Sequence, residues 1–171
     1  MSEVIAIRVT INRREVSVEV APQTLLVELI REHLGLHGTR QGCDTAQCGA
    51  CTVLMDGSPV KSCNLLAVQA DSKALLTVEG LAGEDGSLHP LQRAFNECHA
   101  LQCGFCTSGM LMSLLPLTAA GTLPDEQQLR ELLDGNLCRC TGYAGIVKAA
   151  QQTLSNARRS GPMRAGVGET A

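Results

Sequence analysis

The chain has 171 residues, nine of them cysteine, a formal net charge of −3 and three aromatic side chains, Phe95, Phe105 and Tyr143. A chain of that length builds one medium or two small hydrophobic cores, so the cysteines are not needed merely to hold a fold together. The slightly acidic charge and scarce aromatics leave little for phosphate neutralisation or base stacking, which excludes nucleic acid as an expected partner.

The first residues, Met1-Ser-Glu-Val-Ile-Ala-Ile-Arg-Val9, run straight into a strand pattern, and the polar residues around Arg13-Arg14 do not form an export signal. No apolar run approaches the roughly 18 residues of a membrane helix, so no membrane insertion is expected. With an odd cysteine count, these features predict a cytoplasmic protein, where clustered thiols stay reduced and more often bind metal than pair as disulfides.

Ile5, Ile7, Val9 and Ile11 alternate with polar or small residues. Asn12-Arg13-Arg14 supplies a turn, and Val16, Val18 and Val20 alternate again, which predicts a hairpin. A helix follows, capped by Thr24, with Leu25, Leu26, Leu29 and Ile30 on its apolar face and Gly35 at its end. Thr52–Met55 and Val60–Cys63 flank the tight-turn pair Asp56-Gly57, and a strand near Leu75–Val78 completes a small sheet. From about Leu81 the period becomes helical. One helix is marked by Leu88, Leu91 and Phe95, and others span Gly109–Ala119, Pro124–Leu133 and Tyr143 to about Arg158. Pro116 is expected to kink or shorten the second of these. Glu79–Gly86 reads as a linker, and the aperiodic residues from 159 to 171 as a mobile tail. The expected class is α+β, with an amino-terminal domain over 1–79 and a helical domain over 80–158.

Eight cysteines fall into two sets of four. Cys43, Cys48, Cys51 and Cys63 show Cys-x4-Cys-x2-Cys spacing with a distant fourth, the plant-type ferredoxin spacing for a [2Fe–2S] cluster. Such a cluster needs two thiolates on each iron. Gly42 and Gly49 let the loop curl and aim amides at the sulfurs. Cys103, Cys106, Cys138 and Cys140 lie in Gln102-Cys-Gly-Phe-Cys106 and Asn136-Leu-Cys-Arg-Cys140. Each pair precedes a predicted helix, with Thr107 or Ser108 and then Thr141 as caps, so its thiolates gain from the positive helix end.

Structural zinc is the main competing reading, because a four-cysteine site containing Cys-x2-Cys suits a tetrahedral ion. Three thiols packed into one loop at x4 and x2 spacing fit the di-iron case better. Nucleophilic catalysis is weaker, since His99 is the only histidine within a few positions of a cysteine and reads as a surface residue. His33 and His37 sit where they can satisfy the last carbonyls of a helix. Cys98 reads as a small apolar helical residue, and Asp44 and Glu79 as solvated loop carboxylates. No residue is assigned a catalytic role. The chain also lacks a nucleotide-binding glycine fingerprint, so cofactors that start or end an electron path belong to partners.

Gly42-Cys-Asp-Thr-Ala-Gln-Cys-Gly-Ala-Cys-Thr52, Lys61-Ser-Cys63, Gln102-Cys-Gly-Phe-Cys-Thr107 and Gly135-Asn-Leu-Cys-Arg-Cys-Thr-Gly-Tyr143 occur in this order. The chain thereby resembles, from about residue 3 to 158, the small iron–sulfur subunit of the molybdenum hydroxylases, the family of xanthine dehydrogenase, aldehyde oxidoreductase and aerobic carbon monoxide dehydrogenase. The resemblance implies a plant-ferredoxin-like β-grasp domain followed by a four-helix bundle, each holding one [2Fe–2S] cluster on its four cysteines. It implies an electron-transfer subunit with no substrate chemistry of its own. Electrons would pass from a molybdenum–pterin cofactor on a large subunit to FAD on a medium subunit, within a dimer of heterotrimers. Gln102 and Cys140 would touch the pterin, and the Asp44-Thr45 form of the loop resembles the three-subunit enzymes. Ser108 departs from the family's usual proline, which softens the helix start without removing a ligand. A free-standing two-cluster carrier and a zinc-bearing scaffold are the alternatives.

Overall fold

The computed structural model describes residues 3–120 and 123–160. The amino-terminal alternation forms β1 (Ile5–Ile11) and β2 (Arg14–Val20), antiparallel, with Ile5 opposite Val20 and Ile11 opposite Arg14. Asn12 and Arg13 turn the chain at φ 47° and 68°, the doubly left-handed conformation whose twist suits a two-residue hairpin. β3 (Thr52–Met55) and β4 (Ser58–Lys61) repeat that device around Asp56 and Gly57. β5 (Ala74–Leu76) lies between β1 and β3, parallel to the first and antiparallel to the second, giving the order β2-β1-β5-β3-β4. It stops short of the expected Val78 because Val78–Leu81 tightens into a 3₁₀ turn.

Across the sheet lies α1 (Leu26–Glu28), which continues as a π-helical turn over Leu29–His33. Thr24 does not cap it as expected. The carboxylate of Glu28 accepts the Leu25 N–H at 2.9 Å, while the Thr24 carbonyl accepts the N–H of Ala67. Gly35, at φ 68°, ends the segment. The following loop is tied by Arg31, which donates to the carbonyls of His37 and Thr39. Glu79 is not merely solvated either, since it accepts the Gly38 N–H at 2.7 Å and so fastens this loop to the end of the sheet.

The helices are α2 (Pro90–Glu97), α3 (Thr107–Ala120), α4 (Glu126–Leu132) and α5 (Tyr143–Ser160), with α5 packed on the other three and α3 packed on β3 and β4. Residues 159 and 160 are therefore helical, and the rest of the expected tail lies outside the described residues. Pro116 does not shorten α3, which runs on to Ala120. Both faces of β3 are covered: Val53 joins Ile7, Val9, Leu26 and Ile30, whereas Leu54 joins Phe95, Met110, Leu114 and Leu115. That double burial explains why Thr52-Val-Leu-Met55 shows no polar alternation.

α2 begins two residues after Leu88, which is exposed instead of helical. His89 is its cap: Nδ1 accepts the Leu91 N–H at 3.2 Å, and the His89 N–H donates to Gln92. Burial, then the charge of Arg93, holds the ring's pKa below its ordinary value. The folded protein therefore binds this proton less readily than the unfolded chain. The cap's contribution, about 1 kcal/mol, is present above the ordinary histidine range and is lost as pH falls through the depressed value. In denaturant melts between pH 7 and 5, His89→Asn should flatten this part of the stability decline.

Candidate metal centres

The first site is a loop between α1 and β3 closed by the end of β4. Amide donors around Cys43, led by the Cys48 N–H at 3.4 Å and followed by that of Thr45, hold its thiol at about 6. Gly49 makes the curl at φ 71°, and Ala46 also takes a left-handed conformation, at φ 55°. Lys61 secures that strained stretch, its ammonium donating to the carbonyls of Ala46 at 2.9 Å and Gln47 at 3.1 Å. Ser62, fully buried, donates from Oγ to the Cys51 carbonyl at 2.7 Å and so sets Cys63 beside Cys51. Burial, then that neighbouring thiol, pushes Cys63 up to about 12, with Cys43 and Cys48 adding to the effect.

The second site joins the start of α3 to the loop before α5. Gly104, at φ 79°, turns the chain between Cys103 and Cys106, and the Cys106 carbonyl accepts the Met110 N–H that opens α3. Cys106 thus occupies the cap position itself. Thr107 and Ser108 do not cap; their hydroxyls are buried without a partner. Thr141 does not open α5 either, since the Gly142 carbonyl accepts the Ile146 N–H. The sulfurs of Cys140 and Cys103 lie 3.4 Å apart. Cys103 is lowered, chiefly by the N–H of Phe105 and then by the Cys140 thiol. Burial, then contact with Cys138, pushes Cys106 up to about 12.

Each set therefore divides into two close pairs: Cys43 with Cys48 and Cys51 with Cys63, then Cys103 with Cys140 and Cys106 with Cys138. Thiols that repel each other when ionised become stable thiolates around a cation, with release of their protons. A single tetrahedral zinc would draw four sulfurs together equally, whereas a bridged di-iron cluster takes two on each iron. The paired arrangement fits the di-iron group.

A family model described as a 2Fe-2S iron-sulfur cluster binding domain matches residues 9–82, and a second, described as a [2Fe-2S] binding domain, matches residues 77–151. The 6-hydroxypseudooxynicotine dehydrogenase complex subunit beta of Paenarthrobacter nicotinovorans is 52% identical over 84% of this chain and 91% of its own length. The xanthine dehydrogenase iron-sulfur-binding subunit of Escherichia coli O157:H7 is 44% identical over 85% of this chain and 92% of its own. Quinoline 2-oxidoreductase from Pseudomonas putida 86 has a chain that superposes with a TM-score of 0.87 and 44% identity, covering 95% of this chain and all of that one. The chain belongs to the iron–sulfur small-subunit family of the molybdenum hydroxylases.

As a member of that family it is the electron-carrying subunit of an oxidoreductase complex, with two [2Fe–2S]-binding domains. Its two sites sit against each other. The Leu137 N–H donates to the Cys48 carbonyl at 2.9 Å, and a cavity of about 670 Å³ is lined from both sides, by Gly42 and Thr45 on one and Phe105, Leu137 and Tyr143 on the other. A Cβ on Gly42 would come within 3.2 Å of both the Cys48 sulfur and the Phe105 ring. Arg40 lies over that ring, 5.4 Å from its centre. The Tyr143 hydroxyl accepts the Cys138 N–H at 2.8 Å and lies 3.4 Å from the Asn136 carbonyl, which steadies the second loop.

Gln102 and Cys140, both expected at the pterin, are neighbours: the Gln102 amide donates to the Cys140 carbonyl at 3.2 Å. His99 is exposed and belongs to neither site. Cys98 ends α2 and donates to Gln152, outside both sets. Sequence reasoning missed the supporting parts played by Lys61, Ser62, Asn136 and Tyr143. Each stands inside a quoted cysteine motif, and that adjacency was the available signal.

Proposed function

We propose that this chain relays single electrons from a molybdenum–pterin cofactor on a large partner subunit to a flavin on a medium one. Its eight paired cysteines would hold the two clusters, Cys43, Cys48, Cys51 and Cys63 one, and Cys103, Cys106, Cys138 and Cys140 the other. A [2Fe–2S] cluster, when bound, takes up and returns one electron. The protein's part is to supply charge-matched thiolates, keep the two sites adjacent and present one of them to each partner. The observation that carries the reading is the division of both sets into two sulfur pairs, with the loops joined by the bond from Leu137 to Cys48.

Residues 1–79 and 80–158 form the two cluster domains in this reading. Gln102 and Cys140, side by side at the exposed edge of the second site, are the contact for the pterin. The relatives above are named for nicotine-derived, xanthine and quinoline compounds, so nitrogen heterocycles are the first substrates to assay. In this reading the complex is a cytoplasmic pair of heterotrimers. No helix among the described residues is long and apolar enough to cross a membrane.

Purification through a tag on this chain, with its untagged genomic neighbours co-expressed, should yield a red-brown complex containing molybdenum, flavin, iron and sulfide. Elution of the coloured chain alone, monodisperse, would instead favour a free-standing carrier. A colourless zinc protein would end both readings.

A further inference from the structure

Asn136 is a polar side chain only 5% exposed, two residues before Cys138, and both ends of its amide are engaged. Nδ2 donates to the Gly49 carbonyl at 3.1 Å, and Oδ1 accepts the Ser113 hydroxyl at 2.9 Å. The Gly49 carbonyl is itself held to β3 by the N–H and hydroxyl of Thr52. Ser113 lies on α3, which Cys106 caps. One residue after Asn136, the Leu137 N–H donates to the Cys48 carbonyl. Consecutive residues of the second loop thus grip consecutive carbonyls of the first.

A single backbone bond would fix a distance and leave rotation about it free. Two adjacent bonds fix orientation as well, and the Ser113 anchor keeps the amide from swinging away. There is no slack at this seam, because a Cβ on Gly49 would strike the Gly135 carbonyl and the Asn136 amide, and one on Gly109 would strike the Gly49 carbonyl. An unsatisfied buried amide is costly, so the arrangement has one stable setting.

We propose that Asn136 is a positioning residue that sets the separation and mutual orientation of the two iron–sulfur sites. This rests on the reading that both cysteine sets hold clusters. It acts by strapping the Gly49 carbonyl of one loop to α3 of the other domain, so that the Cys48 carbonyl stays on the Leu137 N–H.

The test uses the purified complex reduced until both clusters are paramagnetic, with electron spin resonance reading the splitting that each imposes on the other. Asn136→Leu keeps the number of side-chain heavy atoms and removes both bonds; the splitting should shrink or spread into a distribution while iron and sulfide stay at wild-type content. Ser113→Ala, which leaves the Gly49 bond in place, should change it in the same direction by less. Wild-type splitting in Asn136→Leu at full iron content would overturn the proposal. Should Asn136→Leu lose iron, Ser113→Ala decides, and an unchanged splitting there overturns it. Wild-type complex without iron or sulfide would instead remove the functional reading beneath it.

Discussion

Cys51→Ala loses one cluster and keeps the other. Wild-type chain should carry about four iron and about four sulfide, and this variant about two of each, with the spin resonance signal of the second site intact. Cys106→Ala should show the converse pattern. The reason is the partition of the thiols: Cys51 pairs with Cys63 and Cys106 with Cys138, and neither has a substitute within its set. Cys98→Ser is the control, because its sulfur is bonded to Gln152 and belongs to neither set, so its iron content should equal wild type. Either cluster loss should abolish turnover of the complex with the physiological acceptor. Equal loss of metal from both sites in Cys51→Ala would contradict the division into two independent centres.

Gly49→Ala should be the most damaging glycine substitution in the first loop. An L-residue at φ 71° costs about 1–2 kcal/mol, and the new methyl would be driven into the Gly135 carbonyl and the Asn136 amide, adding about 1–3 kcal/mol. Two other glycines separate these contributions. Gly57 also has positive φ, at 79°, but nothing lies within 4 Å of its added Cβ, so Gly57→Ala should show the conformational cost alone. Gly109 is helical and its Cβ would strike the Gly49 carbonyl, so Gly109→Ala should show the steric cost less the roughly 1 kcal/mol by which alanine favours a helix interior. Denaturant unfolding of the three variants checks the sum. A Gly49→Ala loss no larger than that of Gly57→Ala would show that the seam between the sites yields freely.

The sites were legible in the sequence to different depths. Cys43, Cys48 and Cys51 announce their chemistry because a loop this short can bring them together only around something small. Cys63 and the two carboxyl-terminal pairs needed the motif order to assign them, since nothing local says which distant cysteine approaches which. The helix caps failed for a related reason. Thr24, Thr107 and Ser108 are good capping residues by type, yet Glu28 took the first role by reaching back to Leu25, and the hydroxyls of Thr107 and Ser108 are buried without a partner. Pro116 was expected to kink or shorten α3; it does not shorten it, and the helix, buried on nearly all sides, continues to Ala120 because its packing outweighs the missing hydrogen bond.

The strand alternation, the two left-handed hairpin turns, the helical spacing after Leu81 and the eight thiols at cluster spacing were determined by the sequence alone, because each depends on residues near one another in the chain. Which sulfur pairs with which, the covering of both faces of β3, and the seam where Asn136 and Leu137 grip Gly49 and Cys48 were decided only by the tertiary structure. Apart from Cys43 and Cys48, five positions apart, those features join residues distant in the chain, as Asn136 and Gly49 are at 87 positions, and no local preference encodes which distant partner a buried carbonyl or thiol will meet.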